Sequence, residues 1–383
     1  MQIITTTKAL STLCANLASD PYVTVDTEFM REHTFWPILC LIQIAGKTEE
    51  AIIDPMADGI DLEPFYELMA NENVLKVFHA ARQDVEIFVE ATGKTPVPLF
   101  DTQVAAMVCG FGDQVGYEAL VRKLANEQVD KSSRFTDWAR RPLSEKQLTY
   151  ALSDVTHLRV VYEALQDMLN KNGRSSWLKE EMAIIADAET YISRPEDAWK
   201  RLKFRARSGK QMAVAMALAK WREERAQAKN MPRNRIIKDD AIAELATQAP
   251  TDKAGLSKLR ALPRGLADGG LGAEILKAIE AGLSMPKDQL PEREVSKGQP
   301  PEGASAIAEI LKLGLKVVCE RENIAPRLIA NASDLEEYAA FGNGDLAMVH
   351  GWRKDLFGDV AEGLKSGKLA IGIRDGKPDI FKA

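Results

Sequence analysis

A short apolar stretch carrying two acids constrains this chain more than any other feature. Residues 22–29 read Tyr-Val-Thr-Val-Asp-Thr-Glu-Phe, which predicts a β-strand with Asp26 and Glu28 two positions apart. Because side chains alternate faces along a strand, both carboxylates project from the same face. Two adjacent acids repel each other and gain most from sharing a divalent cation. The apolar flanks favour a central strand, although an edge strand with acids on its wet face shows the same alternation.

Further acids follow in an order that suits the same metal site. Asp84 comes directly after a predicted strand at 74–79, at the start of a helix, where an acid would equally complement the helix dipole. Asp154 lies four residues after Tyr150 on a helix that we predict to begin with a capping box at Ser144, so the two side chains share one helical face. An isolated Y-x-x-x-D is usually a surface pair, but here it is the fourth element of an ordered set.

A basic and aromatic stretch at 130–142 precedes that helix. Trp138 would stack on a base of a nucleic acid, and four cations would meet phosphates: Lys131, Arg134, Arg140 and Arg141. A surface loop with one packed Trp accounts for the same residues.

The remaining pattern of residues 1–130 predicts a mixed α/β sheet. Apolar runs at 37–45 and 50–54 follow the acidic strand in direct succession, which favours antiparallel neighbours. Helical spacing predicts helices at 7–19, 62–70, 99–109 and 116–126.

Charge is divided unevenly along the 383 residues, a length that predicts two or three domains. Residues 1–193 hold 17 Lys+Arg against 29 Asp+Glu, a net charge of −12, whereas residues 194–240 hold 14 against 6, a net charge of +8. Residues 241–383 hold 19 against 21. An acidic unit followed by a basic segment suits a metal-dependent enzyme with a grip for a polyanion. A solvated basic helix would carry the same charge.

Other features place the chain in the cytoplasm, without a membrane association. The four cysteines form no C-x-x-C pair and are typical of reduced, packed thiols. No apolar run approaches the length of a membrane span, and we see no secretory signal at the N-terminus. We expect a monomer.

The second half contains an internal repeat. Residues 218–246 and 311–339 match at a constant offset of 93 positions, and each copy is predicted as a long helix, a short turn and a helix. The second copy lacks the Trp-Arg pair of the first and has Gly314 opposite Trp221. A Pro-rich linker at 285–303 separates them.

Taken in order, D-x-E, an Asp after a strand and Y-x-x-x-D on a late helix resemble the tyrosine-bearing branch of the DEDD exonuclease superfamily. The matching positions are Asp26, Glu28, Asp84, Tyr150 and Asp154. Val-Asp-Thr-Glu-Phe at 25–29, Leu-Ile-Gln-Ile-Ala at 41–45 and His-Ala-Ala-Arg-Gln-Asp at 79–84 resemble, more narrowly, the ribonuclease D family of bacteria. The likeness covers most of residues 1–195. Residues 220–246 resemble an HRDC domain, a small helical module that binds nucleic acid.

This resemblance implies a fold and a domain order. We expect an α/β ribonuclease H-like exonuclease domain with a mixed sheet at 1–195. Two all-α HRDC-type helical domains follow, the first at 205–285 and a more diverged one at 303–383.

The resemblance also implies a mechanism, with two Mg²⁺ or Mn²⁺ ions as cofactors. Asp26 would bridge both ions, Glu28 and Asp154 would complete one site, and Asp84 would serve the other. Tyr150 would position the attacking water, since an ordinary pKa near 10 makes it a poor base at neutral pH. The implied substrate contacts are His79, Gln83, Arg134, Trp138 and Arg141.

The implied activity is hydrolysis of RNA from its 3′ end with release of nucleoside 5′-monophosphates, in the 3′ processing of tRNA precursors and other small structured RNAs. Two alternatives stay open from the sequence. One is a DNA 3′–5′ exonuclease of the same fold, because catalytic carboxylates contact phosphate and only the 2′-hydroxyl marks RNA. The other is a non-catalytic RNA-binding adaptor, which the intact set of acids disfavours.

Overall fold

The computed structural model describes residues 1–134, 136–263, 265–290, 298–342 and 344–383. Its contacts group these residues into two compact units. The first unit comprises Met1–Glu28, Leu41–Thr190 and the C-terminal residues from 298 onwards; the second comprises Phe29–Cys40 and residues 191–290. The division into domains at 1–195, 205–285 and 303–383 stays a prediction. Residues 291–297 of the predicted linker, and Phe135 of the basic and aromatic stretch, lie outside the described residues.

A mixed sheet of six strands forms the centre of the exonuclease-like region, as predicted. Its order is β1-β4-β3-β2-β5-β6, in which β3 and β4 are antiparallel and the pairs β1–β4, β2–β5 and β5–β6 are parallel. The strands are β1 (Gln2–Ile4), β2 (Tyr22–Met30), β3 (Ile38–Ala45), β4 (Glu50–Ile53), β5 (Leu75–Phe78) and β6 (Leu99–Asp101). The acidic stretch therefore forms an interior strand, β2, whose apolar residues Val23 and Val25 are fully buried.

Helices cover this sheet. They are α1 (Thr7–Leu17), α2 (Glu63–Ala70), α3 (Arg82–Thr92), α4 (Thr102–Val108), α5 (Tyr117–Leu120) with a π-helical turn at Val121–Ala125, α6 (Glu145–Asn172) and α7 (Ser175–Ala186). The predicted helix at 99–109 is wrong at its start, because residues 99–101 pair with β5 as a parallel strand. Asp101 then caps α4 by accepting a hydrogen bond from the backbone N–H of Gln103, so the helix begins only at Thr102.

The described residues of the second unit are mainly helical. The helices are α8 (Gly209–Ala228), α9 (Arg233–Ile236), α10 (Asp239–Gln248), α11 (Lys253–Leu256) and α12 (Gly270–Ser284), with a 3₁₀ turn at Pro195–Arg201. Apolar side chains from α8, α10 and α12 form its core, among them Leu218, Ile242 and Ile275, each fully buried. These helices form the small helical module that the sequence predicts for the first copy of the repeat.

The second copy repeats the helix pattern of the first. α13 (Ala304–Glu322) and α14 (Ala332–Phe341) are followed by α15 (Gly351–Arg353) and α16 (Asp359–Lys365). Since α10 spans 239–248, α14 begins and ends 93 positions later, which is the offset of the sequence repeat. Asn230 and Asn323 also lie 93 positions apart, and both take a left-handed backbone conformation just after the long helix. A Cβ atom added at Gly314 would lie only 2.6 Å from Cδ1 of Leu364. The glycine therefore leaves room for the Leu364 side chain.

The expectation that 303–383 is all-α is wrong at its end. Residues Leu369–Arg374 and Lys377–Lys382 form an antiparallel hairpin, β7 and β8. Asp375 and Gly376 at the turn both have positive φ, and an Asp-Gly pair is a strong signal for such a turn. The alternating side chains of Leu369, Ile371 and Ile380 pack on the buried core of α13, α14 and α16. Burial of this apolar face explains why the last residues form strands.

The C-terminal helical region packs directly on the exonuclease-like region within the first unit. The rings of Trp177 on α7 and Trp352 on α15 stack with centroids 4.4 Å apart and an interplanar angle of 6°. Arg353 donates hydrogen bonds to the carboxylates of Glu180, at 2.6 Å, and Glu181, and to the carbonyl of Leu328 at 2.7 Å. The side chain of Arg353 is only 9% exposed, so these partners hold a nearly buried charge.

Two further expectations concern single features of the chain. All four cysteines are buried as thiols outside any disulfide, in agreement with the prediction of reduced, packed cysteines. Among the described residues, no helix combines the length and the apolar character that crossing a membrane requires.

Substitution of Arg353 by alanine should destabilise the first unit. The change leaves the partly buried Glu181 and the carbonyl of Leu328 without their partner, so we expect the free energy of unfolding to fall by roughly 2–4 kcal/mol. Urea unfolding followed by tryptophan fluorescence measures this change, because the stacked Trp177 and Trp352 report on the same contact.

The matched control is Arg321→Ala, which removes an exposed arginine that pairs with its neighbour Glu322. It should change stability by less than about 0.5 kcal/mol. Equal losses in the two variants would show that the contacts of Arg353 contribute nothing specific.

Candidate active site

The two acids of β2 meet a third acid from helix α6. Carboxylate oxygens of Asp26, Glu28 and Asp154 all lie within 4.8 Å of one another. Asp26 and Glu28 are partly exposed, whereas Asp154 is buried. β2 lies between β3 and β5, so Asp26 and Glu28 belong to an interior strand and not to an edge strand.

Asp84 reaches the same strand from the connection that follows β5. Strands β2 and β5 run parallel, with Thr24 paired to Val77, so their carboxyl ends lie at the same edge of the sheet. Asp84 lies in the first turn of α3, and its buried carboxylate accepts a hydrogen bond of 2.5 Å from the hydroxyl of Thr27. Thr27 stands between the two acids of β2, so this bond ties Asp84 to the acidic strand.

Helix α6 is held in place by contacts next to Asp154. The hydroxyl of Thr24 on β2 lies 2.8 Å from the carbonyl oxygen of Val155, and the hydroxyl of Tyr117 donates to the carbonyl of Asp154. One turn earlier, the Tyr150 hydroxyl hydrogen-bonds the Asp154 carboxylate. Tyr150 also borders a cavity of about 530 Å³, whose lining includes none of the four acids.

The electrostatics of the site favour protons or cations over free carboxylates. Burial raises the pKa of Asp26 and of Asp84 well above the usual range, and the negative charges of neighbouring acids raise them further. The same two causes raise the pKa of Glu28 to about 10. Burial raises the pKa of Asp154 to about 7, although a hydrogen bond from Tyr150 and the charge of Arg134 act in the opposite direction. Positive charge placed among these groups would lower all four pKa values.

The donor set fits divalent cations. Oxygen ligands from carboxylates are what Mg²⁺ and Mn²⁺ prefer. Among the described residues, the buried Oδ1 atom of Asp154 has no hydrogen-bond partner, and an unpaired buried carboxylate oxygen is costly unless a cation satisfies it. Asp26, Glu28 and Asp154 would hold one ion, and Asp84 lies beside them to hold another.

Asp101 is a supporting residue that the sequence reasoning missed. Its carboxylate accepts hydrogen bonds from the backbone N–H groups of Ala80, at 3.0 Å, and Ala81, at 2.9 Å. Ala80 has a φ of 58°, a conformation that a residue with a side chain adopts only when its surroundings hold it. Asp101 thus shapes the turn that leads into α3 and delivers Asp84. The available signal was an Asp-Thr pair directly after an apolar pair, which marks a helix cap rather than a helix interior.

Two predicted substrate contacts have structural partners instead. Trp138 is 3% exposed and its ring stacks on Tyr150, with centroids 6.1 Å apart, so the side chain has a protein partner and its contact with a base stays a prediction. Arg141 forms two hydrogen bonds of 2.7 and 2.8 Å with the carboxylate of Asp54. A guanidinium group fixed by a bidentate pair braces its loop and supplies no free fork for phosphate.

The other three predicted substrate contacts differ in accessibility. His79 is partly buried, its Nδ1 atom lies 3.0 Å from the hydroxyl of Thr102, and burial lowers its pKa to about 4, so the ring is neutral. Gln83 is exposed on the first turn of α3, next to Asp84. Arg134 is exposed, and its charge acts on Glu28 and Asp154. The roles of these residues in substrate binding stay predictions.

Comparison with known families covers both parts of the chain. Residues 1–170 match the family described as 3′–5′ exonuclease, a range that includes Asp26, Glu28, Asp84 and Asp154. Residues 211–279 match the HRDC domain family, which confirms the first predicted helical domain in kind.

Relatives of similar length match from end to end. The chain is 49% identical to a ribonuclease D of Jannaschia sp., with 99% of each chain covered, and 48% identical to a ribonuclease D of Nitrobacter hamburgensis, with 98% of each covered. The crystal structure of Escherichia coli RNase D, an exoribonuclease involved in structured RNA processing, superposes with a TM-score of 0.83 at 28% identity, covering 95% of this chain and 98% of that one. This chain belongs to the ribonuclease D family.

Proposed function

We propose that this protein is a 3′–5′ exoribonuclease that removes nucleotides from the 3′ end of RNA and releases nucleoside 5′-monophosphates. Its substrates would be tRNA precursors and other small structured RNAs with 3′ extensions, and it would act in the cytoplasm as a monomer. The observation that carries the proposal is the convergence of Asp26, Glu28 and Asp154 within 4.8 Å, with Asp84 bound to the intervening Thr27. Full-length similarity to proteins named ribonuclease D supports RNA as the substrate.

Four carboxylates would hold two divalent cations, Mg²⁺ or Mn²⁺. Asp26 would contribute to holding both ions, since its charge acts on Glu28 as well as on Asp84. Glu28 and Asp154 would complete one site and Asp84 the other. Bound cations would supply the Lewis-acid chemistry of phosphodiester hydrolysis. The protein contributes the rigid placement of the ligands through Thr27, Thr24 and Asp101.

Tyr150 would orient the attacking water rather than deprotonate it. Burial and the charge of Asp154 raise its pKa well above the usual value, so the phenol keeps its proton at neutral pH. A protonated phenol donates one hydrogen bond and accepts another, which suffices to position a water molecule. Trp138, stacked on the Tyr150 ring, would limit the orientations of that ring.

Substrate contacts would fall on the exposed side chains beside the acids. Arg134 brings positive charge next to Glu28 and Asp154, where a phosphate group of the RNA backbone must enter a net negative site. Gln83 would offer its side-chain amide to the same strand of RNA from the first turn of α3. These two residues replace Trp138 and Arg141 as our candidates.

Cleavage assays on matched nucleic acids test the proposal. An RNA hairpin with a single-stranded 3′ extension should be shortened from that end in Mg²⁺ or Mn²⁺, and EDTA should stop the reaction. The same sequence as DNA should be cut more slowly, and the product should be nucleoside 5′-monophosphates on chromatography. Equal rates on RNA and DNA would favour the DNA exonuclease, and binding without cleavage in either metal would favour the adaptor.

Substitution of Asp26 by asparagine should abolish hydrolysis while RNA binding survives, because it removes a metal ligand and leaves the rest of the surface unchanged. We expect a loss of roughly a thousandfold or more in the hydrolysis rate, measured with the same RNA. Asp58→Asn, which removes an exposed acid elsewhere in the same region, is the control and should keep normal turnover. Near-normal turnover in the Asp26 variant would disprove the metal-ligand assignment.

The Tyr150→Phe variant should hydrolyse RNA about 10 to 1,000-fold more slowly and should bind Mn²⁺ with nearly unchanged affinity, since the hydroxyl orients water and is not a ligand. Single-turnover rates and calorimetric titration of the metal measure the two properties separately. Asp154→Asn is the comparison, because it should lose both. If the two variants lost metal affinity equally, the role of Tyr150 would be that of a ligand.

A further inference from the structure

A cleft in the second unit is lined by four arginines. It has a volume of about 380 Å³, and its lining includes Arg31, Arg201, Arg222 and Arg233 together with one acid, Asp239. Arg31 comes from the segment Phe29–Cys40, and the other arginines come from the first helical domain and the turn before it. The cleft is therefore a composite of two stretches that are far apart in the sequence.

A buried carboxylate organises two of these arginines. Glu223 is completely buried, and Arg233 forms a bidentate pair with it, at 2.5 and 2.6 Å. Arg201 shares the same carboxylate, at 2.8 Å, although its own side chain is 47% exposed. Two guanidinium groups thus share one negative charge, which leaves positive charge at the cleft and unused N–H donors on Arg201.

Arg222 and Asp239 neutralise each other, since Arg222 is 4% exposed and pairs with Asp239 at 2.6 Å. The surplus positive charge among these paired groups therefore comes from Arg201 and Arg233, which share the single carboxylate of Glu223. The guanidinium of Arg233 also lies 4.4 Å from the ring centroid of Phe35. Because its fork is occupied by Glu223, Arg233 acts as a brace for the cleft, and Arg201 is the arginine that keeps donors for a ligand.

The segment that carries Arg31 is fastened to the helical domain. The side-chain oxygen of Asn230 accepts hydrogen bonds from the backbone N–H groups of Phe35 and Trp36, each 3.0 Å long. Asn230 lies just after α8 in a left-handed conformation, so its side chain points back across the end of that helix. This attachment keeps Arg31 on the same cleft as Arg201 and Arg233.

We propose that this arginine cleft binds a phosphate group of the RNA backbone. The inference rests on the proposed function. It assigns the RNA contact of the basic segment 194–240 to this cleft. Arginine matches phosphate because its planar fork donates two parallel hydrogen bonds, and a preorganised fork loses little entropy on binding. Arg31 follows Glu28 by three residues in the chain.

Substitutions at the cleft test this site better than a truncation. Deletion of residues 194–383 would also remove the C-terminal helices that stack Trp352 on Trp177, and would expose the surface that they cover. Arg201→Gln and Arg31→Gln each remove one charge from the cleft. Arg260→Gln removes one charge from an exposed position of the same unit outside the cleft and is the matched control.

The measurement is RNA binding by fluorescence anisotropy in EDTA, at several salt concentrations, with full-length protein and an RNA hairpin that has a 3′ extension. Each phosphate contact contributes about 0.7 to 0.9 to the slope of log K against log salt. We expect Arg201→Gln and Arg31→Gln to reduce that slope by about one each and to weaken binding roughly tenfold at low salt. Arg260→Gln should change affinity by less than about twofold. Arg201→Lys should keep the slope and recover only part of the affinity, because it retains the charge without the fork.

The possible failures can be told apart. Because EDTA prevents hydrolysis, the binding assay measures loss of the cleft contact independently of catalysis. Wild-type protein that neither binds nor cleaves RNA would refute the proposed function itself. If wild-type protein binds RNA and the cleft variants behave like Arg260→Gln, the arginines form only an ion-pair network. Inorganic phosphate serves as a competitor: if Arg201→Gln changes its binding but leaves RNA binding unchanged, the cleft is a site for small anions and the RNA assignment is wrong.

Discussion

The repulsion among four carboxylates at one edge of a buried sheet is the physical constraint on which the rest of the catalytic region depends. Burial raises the pKa values of Asp26, Glu28 and Asp84, and the negative charges of neighbouring acids raise them further. Such a site is costly to assemble without cations, so the surrounding residues must hold the acids in place by other contacts. The hydroxyl of Thr27 bonds Asp84, and the hydroxyl of Thr24 fixes α6 beside Asp154. Bound cations would offset this repulsion and lower the pKa values of the acids.

The same constraint explains why aromatic and basic side chains near the site have structural partners. Trp138 stacks on Tyr150. Arg141, three residues after Trp138 in the same loop, pairs with Asp54 just after the end of β4. Both contacts stabilise the segment that leads into α6, and α6 carries Tyr150 and Asp154. If Trp138 and Arg141 bound substrate instead, the segment before α6 would lose both of these contacts.

The two copies of the repeat share a helix pattern but differ in their contacts. In each copy an asparagine follows the long helix in a left-handed conformation, but the partners differ. Asn230 accepts hydrogen bonds from the segment that carries Arg31, whereas Asn323 lies against Gly110, where an added Cβ would be 2.3 Å from its side chain. The first copy thereby completes an arginine cleft. The second becomes part of the catalytic unit through Trp352 and Arg353, with the C-terminal hairpin closing its core.

Local pattern alone determined the acidic strand, the order of the five catalytic candidates, the mixed sheet and the 93-residue repeat, because alternation and helical spacing act over a few residues and survive in any context. The tertiary structure alone decided the supporting contacts. Asp101 reaches the turn before Asp84 because parallel pairing places β6 beside β5, and Arg201 and Arg233 share a charge because folding buries Glu223 between them. These contacts join residues distant in sequence, and their energies depend on burial. No local pattern encodes which polar side chains will be buried together and which will remain free for a ligand.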